Sequence, residues 1–409
     1  MRLFMALPLL AGSACPAMAS PLTFEQALER AQANAPAITA RTAEVSAREA
    51  SAIAAGQLPD PRLSLGFDNL PVSGPPAFTL DGSMMTAQRV GLQQDVPNLA
   101  KRHAREAEAD AATGVAQARS AVTRLDVKVA TAAAWIDLAY AGKRLTAIED
   151  VLDRLGPLMP VAEAGVASGS ARPGQSLRIR QAIAGLEDRR STILAEREQA
   201  RAMLERWTGD DEPQAQGSIP GFAFDPAELR LQIESNPRVR AADAGIGAAQ
   251  AGADLARAGK RPDWGVSLSF GHRDPAYGNV VSVGASMTLP LFPGKRQNPR
   301  IEAAEADVSA ARARREDTRR ALAAELERGL ATHAMQLAQW RRAHDTLLPL
   351  ARQEADLETA SYGAGRVGLI DVVSAETALA ETELDVLDRE ARVTRQAAIL
   401  LLTFGGDER

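Results

Sequence analysis

Apolar residues recur through most of the chain at spacings of three and four. Between Pro97 and Pro157 there is no proline, and Val122, Leu125, Val129, Ala132, Ile136 and Ala139 form one such series. That spacing predicts a single long helix packed along its length. At about 1.5 Å per residue it would reach roughly 90 Å. Near the C-terminus the stripe repeats every seven residues through Val372, Leu379, Val386, Val393 and Leu400, with Val373, Ala380, Leu387 and Leu401 beside it. A doubled stripe suits a helix with a neighbour on each side. Taken alone, these helices describe an ordinary helical bundle equally well.

Elsewhere the period changes to two. In "WGVSLSFGHR", Trp264, Val266, Leu268, Phe270 and His272 alternate with small or polar residues. Leu63, Leu65 and Phe67 alternate with Ser64, Gly66 and Asp68, and Val281, Val283, Ala285, Met287 and Leu289 alternate with Ser282, Gly284, Ser286 and Thr288. A fourth strand, expected from Met84 to Val96, is less regular because Thr86, Gln88 and Gln94 share the face of Val90 and Leu92. Large apolar residues on one face with Gly, Ser and Thr on the other is the pattern of a strand between lipid and water. Any one of these strands also reads as half-buried in a soluble sheet. Four of them, in two hairpins with polar or Pro/Gly-rich loops on a secreted chain, favour the membrane barrel. Four strands cannot close a barrel, for which about eight are needed, and open edges are not tolerated in lipid. Closure therefore calls for several chains, two supplying eight strands or three supplying twelve.

The chain repeats itself. "LERAQANAPAI" is echoed by "LRLQIESNPRV", "LPDPRLSLGF" by "KRPDWGVSLSF", and "VGLQQDVPNLAKR" by "VGASMTLPLFPGKR". Each copy reads as helix, strand, loop, strand, long helix, turn, helix. The expected organisation is a signal peptide at 1–19, a first repeat at 20–210, a linker at 211–224 and a second repeat at 225–409.

Composition narrows the function. Of 409 residues 45% are hydrophobic but only 4% aromatic, which fits long packed helices, and a net charge of -5 offers no basic surface for nucleic acid. The N-terminus has Arg2, a short apolar run and the small-residue site Ala17-Met18-Ala19, the layout of a secretory signal. The single cysteine, Cys15, lies before that site, so the mature chain has no disulfide; the alternative is a degenerate lipoprotein signal acylated at Cys15. The four histidines, His103, His272, His333 and His344, lack the spacing that brings metal ligands together. Met84 and Met85 could offer soft ligands, although strand packing is the commoner use of such a pair. No phosphate loop, nucleophile-and-base pair or ligand cluster is present. The sequence points to no enzyme, cofactor or bound metal.

Over essentially the whole mature chain these features resemble the TolC family of outer-membrane efflux factors. The marks are the duplicated unit, the "PDP" lead into the first strand, the proline-flanked exits "DVPNLAKR" and "TLPLFPGKR", and "SYGAGRVGLIDVVSAETAL" (residues 361–379). The stretch from Asn69 to "SMMTAQRVGLQQDVP" is similar to the heavy-metal branch of that family, the CzcC and CusC type. The resemblance implies a mainly helical chain with transmembrane strands. Three copies would share a twelve-stranded barrel continued by a helical tunnel in the periplasm. It also implies a homotrimer that works with a periplasmic adaptor and an inner-membrane pump. The tip residues facing the adaptor would be Gly365, Val367, Gly368 and Leu369, with Gly169 and Ser170 from the first repeat. Asp371 would ring the narrowest point of the tunnel, with Tyr362 and Arg366 latching it. The family's second acid is replaced by Ser374, and in the first repeat Pro173 and Gly174 replace the Val-Gly-Leu step. Asp371 also reads as a plain helix cap, and the two glycines as plain helix ends. Within the channel class, a drug-efflux or protein-secretion outlet is the alternative; outside it, a periplasmic adaptor or coiled-coil scaffold.

Overall fold

The structure is a computed structural model that describes residues 20–406 apart from 76, 82, 170 and 171. The signal peptide, Cys15 and Ser170 lie outside the described residues. The first half contains β1 (Ser20–Leu22), α1 (Phe24–Asn34), α2 (Pro36–Ala55), β2 (Arg62–Asp68), β3 (Ala87–Val96), α3 (Leu99–Leu155), α4 (Leu158–Ala167) and α5 (Pro173–Thr208). After β4 (Pro213–Ala215), the second half repeats the order with α6 (Pro226–Leu231), α7 (Pro237–Ala258), β5 (Trp264–His272), β6 (Val280–Met287) and α8 (Gln297–Arg342). It ends with α9 (Leu348–Gly363) and α10 (Leu369–Phe404).

Local chemistry fixes many of the boundaries. Thr23 and Gln26 exchange reciprocal hydrogen bonds at the start of α1. The Asn236 side chain accepts from Arg238 N at 2.9 Å, ahead of Pro237 at the first position of α7. Gly209, at φ +72°, ends α5 in the left-handed conformation. A π-turn at Ala343–Leu347 separates α8 from α9. It precedes Pro349, whose missing N–H removes one helical hydrogen bond. The helix expected between Pro97 and Pro157 is α3, 57 residues long.

The chain divides into two compact units, each drawing on both repeats. Among the described residues the first comprises 20–39, Arg124–Ile233 and 323–406; the second comprises Ala40–Thr123 and Glu234–Leu322.

The second unit holds an antiparallel sheet of order β2-β3-β5-β6. Its register places Leu65, Val90, Phe270 and Val281 in one row and Leu63, Leu92, Leu268 and Val283 in the next, all on one face. These apolar side chains are exposed, Val283 at 81%. The other face is built from Ser, Gly and charged pairs, with Arg62 bonded to Asp95 at 2.9 Å and Arg89 paired with Asp68. Glycine is needed there because serines lean across it: a Cβ on Gly91 would stand 2.6 Å from Ser64 Oγ, and one on Gly265 2.7 Å from Ser286 Oγ. β3 starts at Ala87 rather than Met84, because Thr86 turns its hydroxyl onto Asn69 O at 3.1 Å and takes no place in the ladder. β6 stops at Met287, short of the expected Leu289. At the end of the sheet, Asp263 accepts from Asn98 N at 2.9 Å and pairs with Lys101 at 2.7 Å. Burial pushes its carboxyl up, but the bonds from Lys101 and Asn98 outweigh that and hold it below the usual range.

The first unit is helical apart from β1 and β4, which pair in parallel. Its main core gathers Leu22, Phe24, Trp135, Ile136, Tyr140 and Leu204. Trp135 Nε1 donates to Leu22 O at 2.9 Å, and Phe24 meets the Trp135 ring edge-on at 5.5 Å. Further cores run along α10, where Val372, Val373, Leu379, Ala380, Val386 and Leu400 are buried as the doubled stripe requires. No helix among the described residues is long and apolar enough to cross a membrane.

Candidate gate and docking tip

Two helix-turn-helix tips stand in the first unit, α4 to α5 and α9 to α10. At the second tip, Gly365 adopts φ +69°. Gly365 N donates to Tyr362 O at 2.9 Å and Arg366 N to Ser361 O at 2.9 Å. This paired closure needs a left-handed residue at the position Gly365 fills. The chain then runs extended into α10, whose preceding residue Gly368 has φ -85° and ψ 159°. Asp371 Oδ2 accepts from Gly368 N at 2.9 Å, so Asp371 does cap the helix. Gly368, in ordinary extended backbone, needs no special backbone freedom. A Cβ there would meet Gln175 Nε2 at an ordinary 3.5 Å.

The first tip repeats this geometry despite its divergent sequence. Gly169 has φ +75° and its N–H donates to Val166 O at 3.1 Å, as Gly365 does to Tyr362. Gln175 Oε1 accepts from Arg172 N at 3.3 Å, the role Asp371 takes in the second tip. The acid missing from the first repeat is thus replaced by a neutral group with the same hydrogen bond. Gln175 Nε2 stands 3.5 Å from where a Cβ on Gly368 would lie, so the two turns sit side by side.

Beneath the turns, Ile179 and Leu186 of α5 pack with Val373 and Ala380 of α10, and Leu369 and Ile370 lie half-buried against them. Val367 is also half-buried, while Tyr362, Gly365, Arg366 and Asp371 are exposed. Among the described residues no hydrogen bond joins Tyr362 to Arg366. Further along the same helices, α5 and α10 flank a cleft of about 650 Å³ lined by Arg178, Arg189, Glu381 and Asp385 among others.

A polar knot behind this cleft gave no sequence signal, since its members are scattered over three helices. Buried Arg144 bonds Glu196 at 2.8 Å and Asp388 at 3.4 Å. Tyr140 Oη donates to Glu390 at 3.0 Å, and Asp137 pairs with Arg395 at 3.3 Å. Burial raises the Asp137 carboxyl above its ordinary range, against the pull of Arg395 and Arg144. Burial also raises the Tyr140 phenol.

Residues 229–406 match the family model described as outer membrane efflux protein. The cobalt-zinc-cadmium resistance protein CzcC of Cupriavidus metallidurans is 26% identical over 378 residues, covering 90% of this chain and 86% of that protein. The nickel and cobalt resistance protein CnrC of the same organism is 29% identical over 307 residues, covering 72% of this chain and 70% of that protein. A crystal structure of CusC superposes with a TM-score of 0.79 at 18% identity, covering 94% of this chain and 92% of that one. The matched stretch repeats the order of elements seen in the first part of the chain, and the shared fold extends over both. Residues 229–406 thus match an outer membrane efflux protein family, and the chain over nearly its whole length has the fold of the outer-membrane channel CusC.

Proposed function

We propose that three copies of this chain form the outlet of a tripartite efflux system, receiving substrate from a periplasmic adaptor and an inner-membrane pump. The carrying observation is the four-stranded sheet, apolar on one face and open at both edges, which lipid does not tolerate until the edges are paired. α2 supports the same reading: of its 20 residues only Ile38 is buried within the chain, so the helix wants neighbours from other copies. In this reading residues 20–210 and 225–409 are tandem repeats joined by 211–224. Gly365, Val367, Gly368 and Leu369, with Gly169 and Ser170, form the adaptor-facing tip. Asp371 forms the gate ring, with Tyr362 and Arg366 beside it.

The proposed cargo is heavy-metal cations, supported by the names of the relatives that match most of the chain. Among the described residues no group of His, Cys, Asp and Glu is placed to hold a metal ion. A deletion strain tests this: tolerance to cobalt, zinc, cadmium or nickel should fall and return with the gene. Unchanged metal tolerance with lost tolerance to organic antibiotics would assign the outlet to drug efflux.

A further inference from the structure

The internal repeat fixes how one copy of the sheet must pair with the next. In the first hairpin Leu65 faces Val90, and their repeat counterparts Leu268 and Val283 face each other in the second. The sequence equivalence of the two hairpins is therefore also an equivalence of register. The junction between hairpins lies inside the chain, where β3 pairs with β5 through Val90 to Phe270, Leu92 to Leu268 and Gln94 to Val266. The outer edges, β2 and β6, are the counterparts of β5 and β3, and each lacks a partner on one side.

We propose that β6 of one copy pairs antiparallel with β2 of the next in the register of the β3–β5 junction, placing Val283 against Phe67, Ala285 against Leu65 and Ser286 against Ser64. The inference rests on the trimer reading and specifies its seam. Apolar residues then meet apolar residues on the lipid face, and Gly284 meets Gly66 on the other. A slip of one residue would set Val283 against Gly66 and invert the faces. A slip of two keeps the faces and is the real competitor.

The end of the seam offers a second mark. Inside the chain the β3–β5 junction is clasped by Asp263 and Lys101 at 2.7 Å. Their counterparts by sequence are Asp60 and, across a one-residue insertion that leaves it just ahead of α8 rather than in a first helical turn, Lys295; both are exposed and without a side-chain partner among the described residues. At the seam between copies these two form the equivalent ion pair. Leu291 stands where Asn98 stands in the first repeat, so the seam has no counterpart of the Asn98 amide.

The test is disulfide trapping in outer membranes, with the full-length protein. Opposed Cβ atoms in neighbouring strands lie within disulfide reach, whereas diagonal ones at about 7–8 Å do not. The S64C/S286C pair should give covalent dimers and trimers on non-reducing gels. S286C combined with R62C or G66C should give at least tenfold less. A trimer that crosslinks through either of those pairs instead overturns the register alone. A protein that light scattering shows to be monomeric in detergent overturns the trimer reading. For the ion pair, D60K and K295D should each lower the temperature at which the trimer dissociates, and the D60K/K295D double reversal should restore it. Failure of the double reversal to restore, with both single effects present, removes the clasp.

Discussion

Leu268 and Ser267 are neighbours in sequence and opposites in environment. Leu268 lies in the apolar row with Leu63, Leu92 and Val283, whereas Ser267 faces Gln93 and Gly284 on the small polar side. A charge at the bilayer midplane on a lipid-facing strand position costs about 2 to 4 kcal/mol. Leu268→Arg should therefore lower the yield of assembled channel in the outer membrane, and Ser267→Arg should lower it much less. Similar yields for the two variants would mean that the faces are assigned wrongly. Asp137 poses a different residue-scale question, because it is a carboxylate that burial works against. A carboxyl whose folded pKa is raised adds stability below its unfolded value, and that stability is lost as pH rises through the folded pKa. Asp137→Asn, which keeps the shape without the charge, should raise the melting temperature at pH 7, and the gain should shrink as pH falls toward about 4, near the ordinary carboxyl value. A melting temperature that drops at pH 7 would instead make the pairing with Arg395 the dominant interaction.

Among the elements, the tips show how a short motif governs a larger piece of structure. Gly365 sits at φ +69° with nothing within 4 Å of an added Cβ, so a side chain there has room but a strained backbone. That strain costs about 1 to 2 kcal/mol, too little to unfold helices that pack as deeply as α10 does. Gly365→Trp should leave the trimer in the membrane while reducing efflux severely. Normal crosslinking of that variant to its adaptor would show that the glycine does no more than end α9. This glycine was legible in the sequence because a left-handed helix end selects glycine strongly, and so were the strands, because Ser and Gly between Leu, Val and Phe leave a period of two. The β1–β4 pair was not legible, since three residues carry no period. Nor was the knot around Arg144, whose partners Glu196 and Asp388 lie on α5 and α10. The role of Gln175 was hidden for a related reason: hydrogen-bond geometry at the start of α5 matches that at Asp371, but the residue types differ.

In the proposed trimer, an Asp371 gate would depend on what three copies do with one acid each. Asp371 accepts the Gly368 N–H through one oxygen and is exposed, so capping the helix leaves its charge available to a pore. Ser374 in place of the second acid leaves any acidic ring single, and Gln175 at the equivalent position of the neighbouring tip adds a neutral donor beside it. Three carboxylates meeting on a threefold axis repel by about 3 kcal/mol per pair at roughly 6 Å and an effective dielectric near 20. A cation entering the ring relieves that repulsion, and a multivalent one relieves it most. The closed channel should therefore select for cations and be blocked by multivalent ones. Asp371→Asn is the informative variant, because the amide oxygen can still accept from Gly368 N and preserve the tip while the charge is gone. In planar bilayers it should weaken both the selectivity and the block, with single-channel conductance recorded as multivalent cation is titrated. If the variant is blocked at the same concentration as the wild type, Asp371 serves α10 as a cap and the gate lies elsewhere in the channel.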